Sequence, residues 1–529
     1  MDRAGKVRAL AREVFGHDEL LAGQQAAIEA VAAGRDVLLV APTGGGKSLA
    51  YQLGGLLRGG LTLVVSPLLA LQRDQLEHLE ALGDRVRAAR LSSEESEAAQ
   101  REVLDLAVAG GLDFLFLAPE QLARATVRER LAEAAPVLAA VDEAHCVSAW
   151  GHDFRPDYLR LRELLEGVGA PPVIAMTATA AEPVRRDIAE RLLRDPELVV
   201  TGVRRPELAL MVAHVGDEDS QREVVVDLVA DRPAGEAGVV YCRTRADADE
   251  IAGLLVERGV RAASYHAGHG AKRRRETQEA FMDADAELDV VVATSAFGMG
   301  VDKPDVRFVV HHRAPESLDT YYQEVGRAGR DGEPADAVLV QRPEDLSLGR
   351  FFSTGIPKKG DVRRVLAAAE AAGTTDPDVV REQCDVGPRK TVRILTLFDR
   401  DREVGVEGDP VAAVIERAEH QRELDRSRVD MVREYVETER CRMDFLAVYF
   451  GETGADPCGR CDRCRAGTAT QQPERAGRFE LGTSVTHADF GTGKITDLEE
   501  DRLTVLFDEV GYRTLALDVV ESHDLLQAG

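Results

Sequence analysis

Two short stretches of the 529-residue chain carry the residue types that hold and cleave phosphate esters. APTGGGKS, residues 41–48, follows the apolar run DVLLV and opens a helical pattern. Gly44, Gly45 and Gly46, after Thr43, let backbone N–H groups close around phosphate oxygens with no Cβ in the way. A helix N-terminus adds positive potential there. In that setting Lys47 would reach the terminal phosphates of a nucleotide and Ser48 a magnesium ion. The bland alternative is a glycine turn without a ligand. Asp142 and Glu143 end a second apolar run, VLAAV. Asp142 suits magnesium and Glu143 suits a base that orients an attacking water; an exposed acidic pair is the other reading.

The acids run directly into an aromatic stretch, DEAHCVSAWGHDFRPDY, residues 142–158. Trp150, Phe154 and Arg155 lie beside Gly151 and Pro156, as a flexible loop that stacks nucleic-acid bases would require. Stacking of a base on an aromatic ring contributes about 1–3 kcal/mol. The alternative is that both rings fill a core. A third constellation is C-x16-C-x2-C-x2-C, made by Cys441, Cys458, Cys461 and Cys464. Three thiols at x2 spacing and a fourth from the preceding helix suit one tetrahedral structural zinc ion. Disulfides and an iron–sulfur cluster remain open at this point.

Positioning these residues requires rigid strands. The apolar runs at 36–41, 61–66, 113–118, 137–142 and 172–177 each precede a helical pattern, which predicts a parallel sheet with crossover helices. A second series, at 238–242, 262–265, 288–294, 306–312 and 336–340, predicts another α/β lobe, with a hinge near Gly202 to Pro206. The expected organisation is lobe 1 at 1–203, lobe 2 at 204–356, a winged-helix-like segment at 357–410 and a helical zinc module at 411–466. A linker at 467–478 and a small β-barrel at 479–529 follow. In the helical segment Arg389, Lys390 and Arg393 could face a phosphate backbone, or the segment is a plain spacer. The basic run Lys272–Arg275 is open in the same way, between a solvated helix face and a backbone contact.

With 44% hydrophobic and 30% charged residues the composition is that of soluble globular protein, and several domains are needed at this length. No apolar run approaches the roughly 18 residues of a membrane span, and the N-terminus shows no apolar signal region, so no membrane partner and a cytoplasmic location are expected. The net charge of −27 argues against a basic-surfaced nucleic-acid binder, but not against a local binding channel on an acidic protein.

Taken together, APTGGGKS, DEAH at 142–145, TAT at 177–179 and QEVGRAGRDG at 323–332 resemble the motifs of superfamily-2 helicases. DEAHCVSAWGHDFRP and ATSAFGMGVDKPDVRFVVHH, residues 293–312, closely resemble RecQ DNA helicases, and the cysteine spacing with YFGE at 449–452 resembles their zinc module. The resemblance implies two tandem RecA-like P-loop lobes, ATP with Mg2+ and Zn2+ as cofactors, and single-stranded and forked DNA as partners. It also implies 3′–5′ movement in DNA repair or recombination. Residue by residue, it implies that Gln24 reads adenine, although Leu20-Leu21-Ala22 stand where the family has Phe-Arg-Pro. Residues 66–75 and 118–122 match segments that touch the DNA backbone. Trp150, Phe154 and Arg155 match the DNA-sensing loop, with His145 beside it, and Thr177 and Thr179 the link between lobes. Gln323, Arg327 and Arg330 match the motif that faces ATP from the second lobe.

The tail resembles the Tudor-like module of UvrD/PcrA-type helicases, with His487, Phe490, Gly491 and Gly493 at its turn. Residues 479–529 hold three Lys/Arg and eleven Asp/Glu, a balance of −8. That charge favours a protein partner, which the resemblance suggests is RNA polymerase, over DNA. A translocase that remodels protein–DNA complexes with little strand separation, a scaffold with an inactive motor, and an RNA helicase are the competing functions.

Overall fold

The computed structural model describes residues 3–528 except 22, 68, 149–155, 284–287, 299–302, 346–354, 405–408, 453–455 and 474; the side chains of 3, 70, 156–157, 378, 389 and 399–404 are also undescribed. The chain forms two compact units, Met1–Arg342 with Thr438–Thr470, and Pro343–Glu437 with Gln471–Gly529.

The first unit contains two parallel sheets. Strands β1 (Val37–Val40), β2 (Thr62–Val65), β3 (Ala88–Leu91), β4 (Phe114–Leu117), β5 (Leu138–Val141), β6 (Val173–Thr177) and β7 (Glu197–Val200) assemble in the order β3-β4-β2-β5-β6-β1-β7. Every pair in this sheet is parallel. Its central strands are buried at every position, as in sheets that helices cover on both faces. In β1, Val37 and Leu39 join one apolar core while Leu38 and Val40 join another. That is why these strands read as unbroken apolar runs.

Strands β8 (Leu208–His214), β9 (Ala237–Tyr241), β10 (Ala262–Tyr265), β11 (Val290–Ala293), β12 (Val306–His311) and β13 (Ala335–Gln341) form the second sheet, ordered β10-β11-β9-β12-β13-β8. Three strands that the apolar runs do not predict, β3, β7 and β8, are all sheet edges. β3 carries Arg90 and β7 is partly exposed, so these two are less uniformly apolar or buried than the central strands, whereas β8, LALMVAH, is itself an apolar run.

Residues Thr438–Thr470 pack on this unit. Asp462 accepts the Val212 N–H of edge strand β8 at 3.2 Å, and Tyr449 donates to Asp319 at 2.6 Å. Glu452 accepts the N–H of Val203, in the segment between the two sheets.

In the second unit, helices Lys359–Ala372, Pro377–Gln383 and Pro388–Val404 precede the long helix Pro410–Glu437 and share one apolar core with it. No strand occurs among the described residues of 357–437. Lys390 bonds Asp361 at 3.3 Å and Arg393 donates to the Gly355 carbonyl at 2.5 Å, while the Arg389 side chain lies outside the described residues. Strands Ser484–His487, Gly491–Leu498, Arg502–Phe507, Gly511–Ala516 and Leu526–Ala528 form an antiparallel sheet with its own core. Its HxxFGxG pattern has a local cause. The His487 imidazole accepts the N–H groups of Asp489 and Phe490 at 3.1 and 3.3 Å and stacks on the Phe490 ring at 4.4 Å.

Asp36, buried just before β1, holds three strand entrances of the first sheet together. Its carboxylate accepts Val173 N–H at 2.9 Å and Arg194 N–H at 2.7 Å, and its carbonyl accepts Glu197 N–H at 2.8 Å. Asp36→Ala should leave two sheltered donors unpaired and lower stability by about 2–4 kcal/mol. Urea unfolding followed by circular dichroism checks this; unfolding midpoints equal to those of the parent would exclude the role.

Candidate functional site

In open parallel sheets, ligands sit beyond the carboxyl ends of the strands. Strands β5, β6 and β1 are neighbours in the first sheet. The acids after β5, the TAT segment after β6 and the glycine loop after β1 therefore emerge side by side.

The loop closes onto helix Lys47–Arg58 through Gly46, whose φ of +67° suits glycine. A Cβ on Gly45 would come within 2.8 Å of the Pro42 carbonyl, so that position also excludes a side chain. Lys47 donates to the Ala41 and Pro42 carbonyls at 3.0 and 3.2 Å. Gln24 is buried beneath the loop, donating to the Gly46 carbonyl at 3.0 Å and accepting Leu21 N–H at 2.6 Å.

Asp142 is buried and accepts the Glu143 N–H at 3.0 Å. Burial, then the adjacent Glu143 charge, pushes its carboxyl up to about 6, against the pull of Lys47. Glu143 sits at φ +48°, a left-handed conformation that costs a side-chain-bearing residue about 1–2 kcal/mol and here turns the chain sharply after β5. His145 is buried, and its Nδ1 lies 3.2 Å from the Glu143 carboxylate and 3.0 Å from the Thr177 hydroxyl. The Thr177 hydroxyl donates to the Thr179 carbonyl at 2.9 Å, so His145 Nδ1 is the donor in its pair with Thr177. Burial works against the charged imidazole, but its interactions with Cys146 and Glu143 outweigh it and hold the group well above its ordinary value. Downstream, Tyr158 donates to the Asp142 carbonyl at 3.1 Å. Trp150, Phe154 and Arg155 lie outside the described residues.

From the second lobe, helix Leu318–Val325 and the turn after it carry Gln323, Arg327 and Arg330. Arg330 reaches the glycine loop, its Cγ 3.8 Å from where a Cβ on Gly44 would stand. Arg327 is buried near Gly298 and interacts with Tyr241. A cavity of about 500 Å³ is lined by Thr43, Gly44, Gly46, Lys47, Ser48, Asp142 and Glu143 from one lobe and Gln323, Arg327 and Arg330 from the other. Gln24, Gly45, His145, Thr177 and Thr179 stand behind that lining rather than in it.

Phe15 and His17, from the segment 15–28 that resembles the adenine-reading motif, also line the cavity, as do Gln52, Gln75 and His78. Gln75 and His78 lie on helix Leu69–Glu80, whose first half reads as a backbone-contacting segment. Tyr51 donates to Gln75 at 2.8 Å, a tie between helices that no sequence spacing announces. The basic run of helix Ala271–Met282 lies outside this lining; Lys272 and Arg275 face Glu276 and Glu279 at 3.7 Å, one turn on.

The ligand atoms of Cys441, Cys458, Cys461 and Cys464 all lie within 4.8 Å of one another, and all four thiols are free of disulfides. Cys441 caps helix Arg442–Tyr449, past the end of the long helix rather than within it. The N–H groups of Cys458, Cys461 and Cys464 point at the sulfurs of Cys441, Cys458 and Cys461, at 3.2, 3.4 and 3.5 Å. Hydrogen bonding from Cys441 and Cys458 holds the Cys461 thiol far below its ordinary range. Four convergent sulfurs suit a tetrahedral soft-metal site. A second group, Asp249, His266 and His269, is also close-set. There the Gly268 N–H donates to His266 Nδ1 at 3.2 Å, so Nε2 carries the proton and donates to Asp249 instead of ligating.

Comparison with known proteins agrees with this geometry. The DEAD/DEAH box helicase family matches residues 22–187, the helicase conserved C-terminal domain residues 220–332 and the RecQ zinc-binding family residues 398–465. The probable ATP-dependent DNA helicase RecS of Bacillus subtilis (strain 168) is 36% identical over 470 residues, covering 87% of this chain and 92% of its own. The ATP-dependent DNA helicase RecQ of Synechocystis sp. is 35% identical over 498 residues, covering 88% and 99%. Among solved structures, Mycobacterium smegmatis helicase Lhr bound to ssDNA and AMP-PNP shares the fold with a TM-score of 0.54 at 24% identity, covering 75% of this chain and 58% of that one. The chain belongs to the RecQ family of ATP-dependent DNA helicases.

Proposed function

We propose that the chain hydrolyses ATP in the cavity between its two lobes and uses closure of that cavity to move 3′ to 5′ along single-stranded DNA, separating the strands of forked duplexes in repair or recombination. The observation that carries this reading is a shared cavity, lined by Lys47, Asp142 and Glu143 from one lobe and Arg327 and Arg330 from the other. The names of the DNA helicase relatives support DNA as the track.

In this reading Lys47 and the N–H groups of Thr43 to Ser48 hold the phosphates. A carboxylate and a hydroxyl lining one cavity fit a divalent cation, so Asp142 and Ser48 would hold Mg2+, which would neutralise charge on the phosphates when bound. Glu143 orients the attacking water. Arg330 and Arg327 stabilise charge developing on the γ-phosphate, and do so only when the lobes are together. His145 passes the state of Glu143 to Thr177 and Thr179 through its hydrogen bonds. Trp150, Phe154 and Arg155, between Cys146 and Tyr158 in sequence, sense the DNA. Gln24 reads adenine while bracing Gly46. The four cysteines hold structural Zn2+, and the acidic β module takes a protein partner such as RNA polymerase.

A second reading, a translocase that displaces proteins without parting strands, is favoured by one observation. The segment expected to be winged-helix-like precedes the cysteine cluster instead of following it, and shows only helices and turns among the described residues of 357–437.

Lys47→Ala should lower ATP turnover by about 100-fold or more with the circular dichroism spectrum unchanged; parental turnover in that variant would sink the phosphate-site assignment. Elemental analysis should find about one zinc per chain, lost together with thermal stability in Cys461→Ser. On a forked duplex with a labelled strand, ATP-dependent strand release is expected. DNA-stimulated hydrolysis without release would instead establish the translocase.

A further inference from the structure

Arg205 lies between β7 and β8, in the segment that joins the two lobes, and it is buried. Its guanidinium touches both lobes at once. Nη1 donates to the Thr43 carbonyl of the glycine loop at 3.3 Å and to the Gly326 carbonyl at 3.2 Å. Nη2 donates to the Ala328 carbonyl at 2.9 Å, and Nε pairs with Glu207. Gly326 and Ala328 flank Arg327, and Arg330 follows two residues later. Only a planar group with donors in several directions can meet acceptors on both walls and a carboxylate together.

We propose that Arg205 is a positioning residue for ATP hydrolysis, which sets the closed register between the glycine loop and the turn carrying Arg327 and Arg330. The proposal rests on the reading of that cavity as the ATP site. Three of its bonds, to Gly326, Ala328 and Glu207, stay within the second lobe and its linker. Among these four bonds only that to Thr43 crosses to the first lobe, and it is the one that cleft opening must break. Arg205 therefore rides with the arginine turn and docks it on the glycine loop when the lobes close. Loss of Arg205 leaves the phosphate-binding loop complete but lets Arg330 approach with a shifted register, which affects turnover more than nucleotide affinity.

The test measures ATP turnover with a single-stranded DNA oligonucleotide present, binding of a fluorescent ATP analogue, and thermal unfolding, all on the full chain. Arg205→Ala should lower kcat by about 10- to 100-fold while the analogue's Kd changes by less than about 3-fold. In the Arg330→Ala background the same change should add no further loss, because its effect passes through Arg330. Arg205→Lys, which keeps charge and bulk but has one nitrogen in place of three, should show the same split and serves if Arg205→Ala does not fold. Unchanged kcat, losses that multiply in the double variant, or a fall in kcat tracking lost affinity and stability would overturn the proposal. Full turnover in Arg330→Ala alone would identify the failure as that of the site reading beneath it.

Discussion

Two consecutive carboxylates, Asp142 and Glu143, are held at the end of a central strand and within the field of a lysine. Burial and mutual repulsion raise the Asp142 carboxyl, so the pair has a strong electrostatic demand for cationic partners. Lys47 meets part of that demand from the same lobe. Arg327 and Arg330 of the second lobe line the same cavity and bring further positive charge to it.

Residues 202–206 are tied down by hydrogen bonds. Val203 bonds Glu452 through its N–H and Tyr322 through its carbonyl, and Arg204 donates to the Asp456 carbonyl at 2.9 Å and to Asp444 at 3.1 Å. The cysteine module supplies three of these four partners and also meets edge strand β8. The segment 438–470 thus braces the linker through side chains and backbone that flank its four convergent cysteines.

Much of this is legible in the chain. The buried strands declare themselves because both faces of each are apolar, and the glycine loop because only a side-chain-free backbone can wrap phosphate. The cysteine spacing is legible because local turns bring the three thiols at x2 spacing together, although Cys441 joins them only through the fold. Edge strand β3 is less so, since Arg90 interrupts its apolar run, while nothing in the apolar run of β8, LALMVAH, tells that it stands at an edge. The bond from the Gln24 amide to the Gly46 carbonyl, by contrast, joins positions 22 apart and is not legible in the chain.

The capacity to hold phosphate, metal or a stacked base resides in residue type and short spacing, and so the linear chain already carries it. Which of these groups meet is a property of the folded chain. The strand order β5-β6-β1 brings Asp142, Thr177 and Lys47 together, lobe packing sets Arg330 against Gly44, and Arg205 bridges Thr43 to Ala328. Those juxtapositions depend on crossover connections and on the geometry of the linker, which join positions far apart in the chain and leave no periodic trace along it.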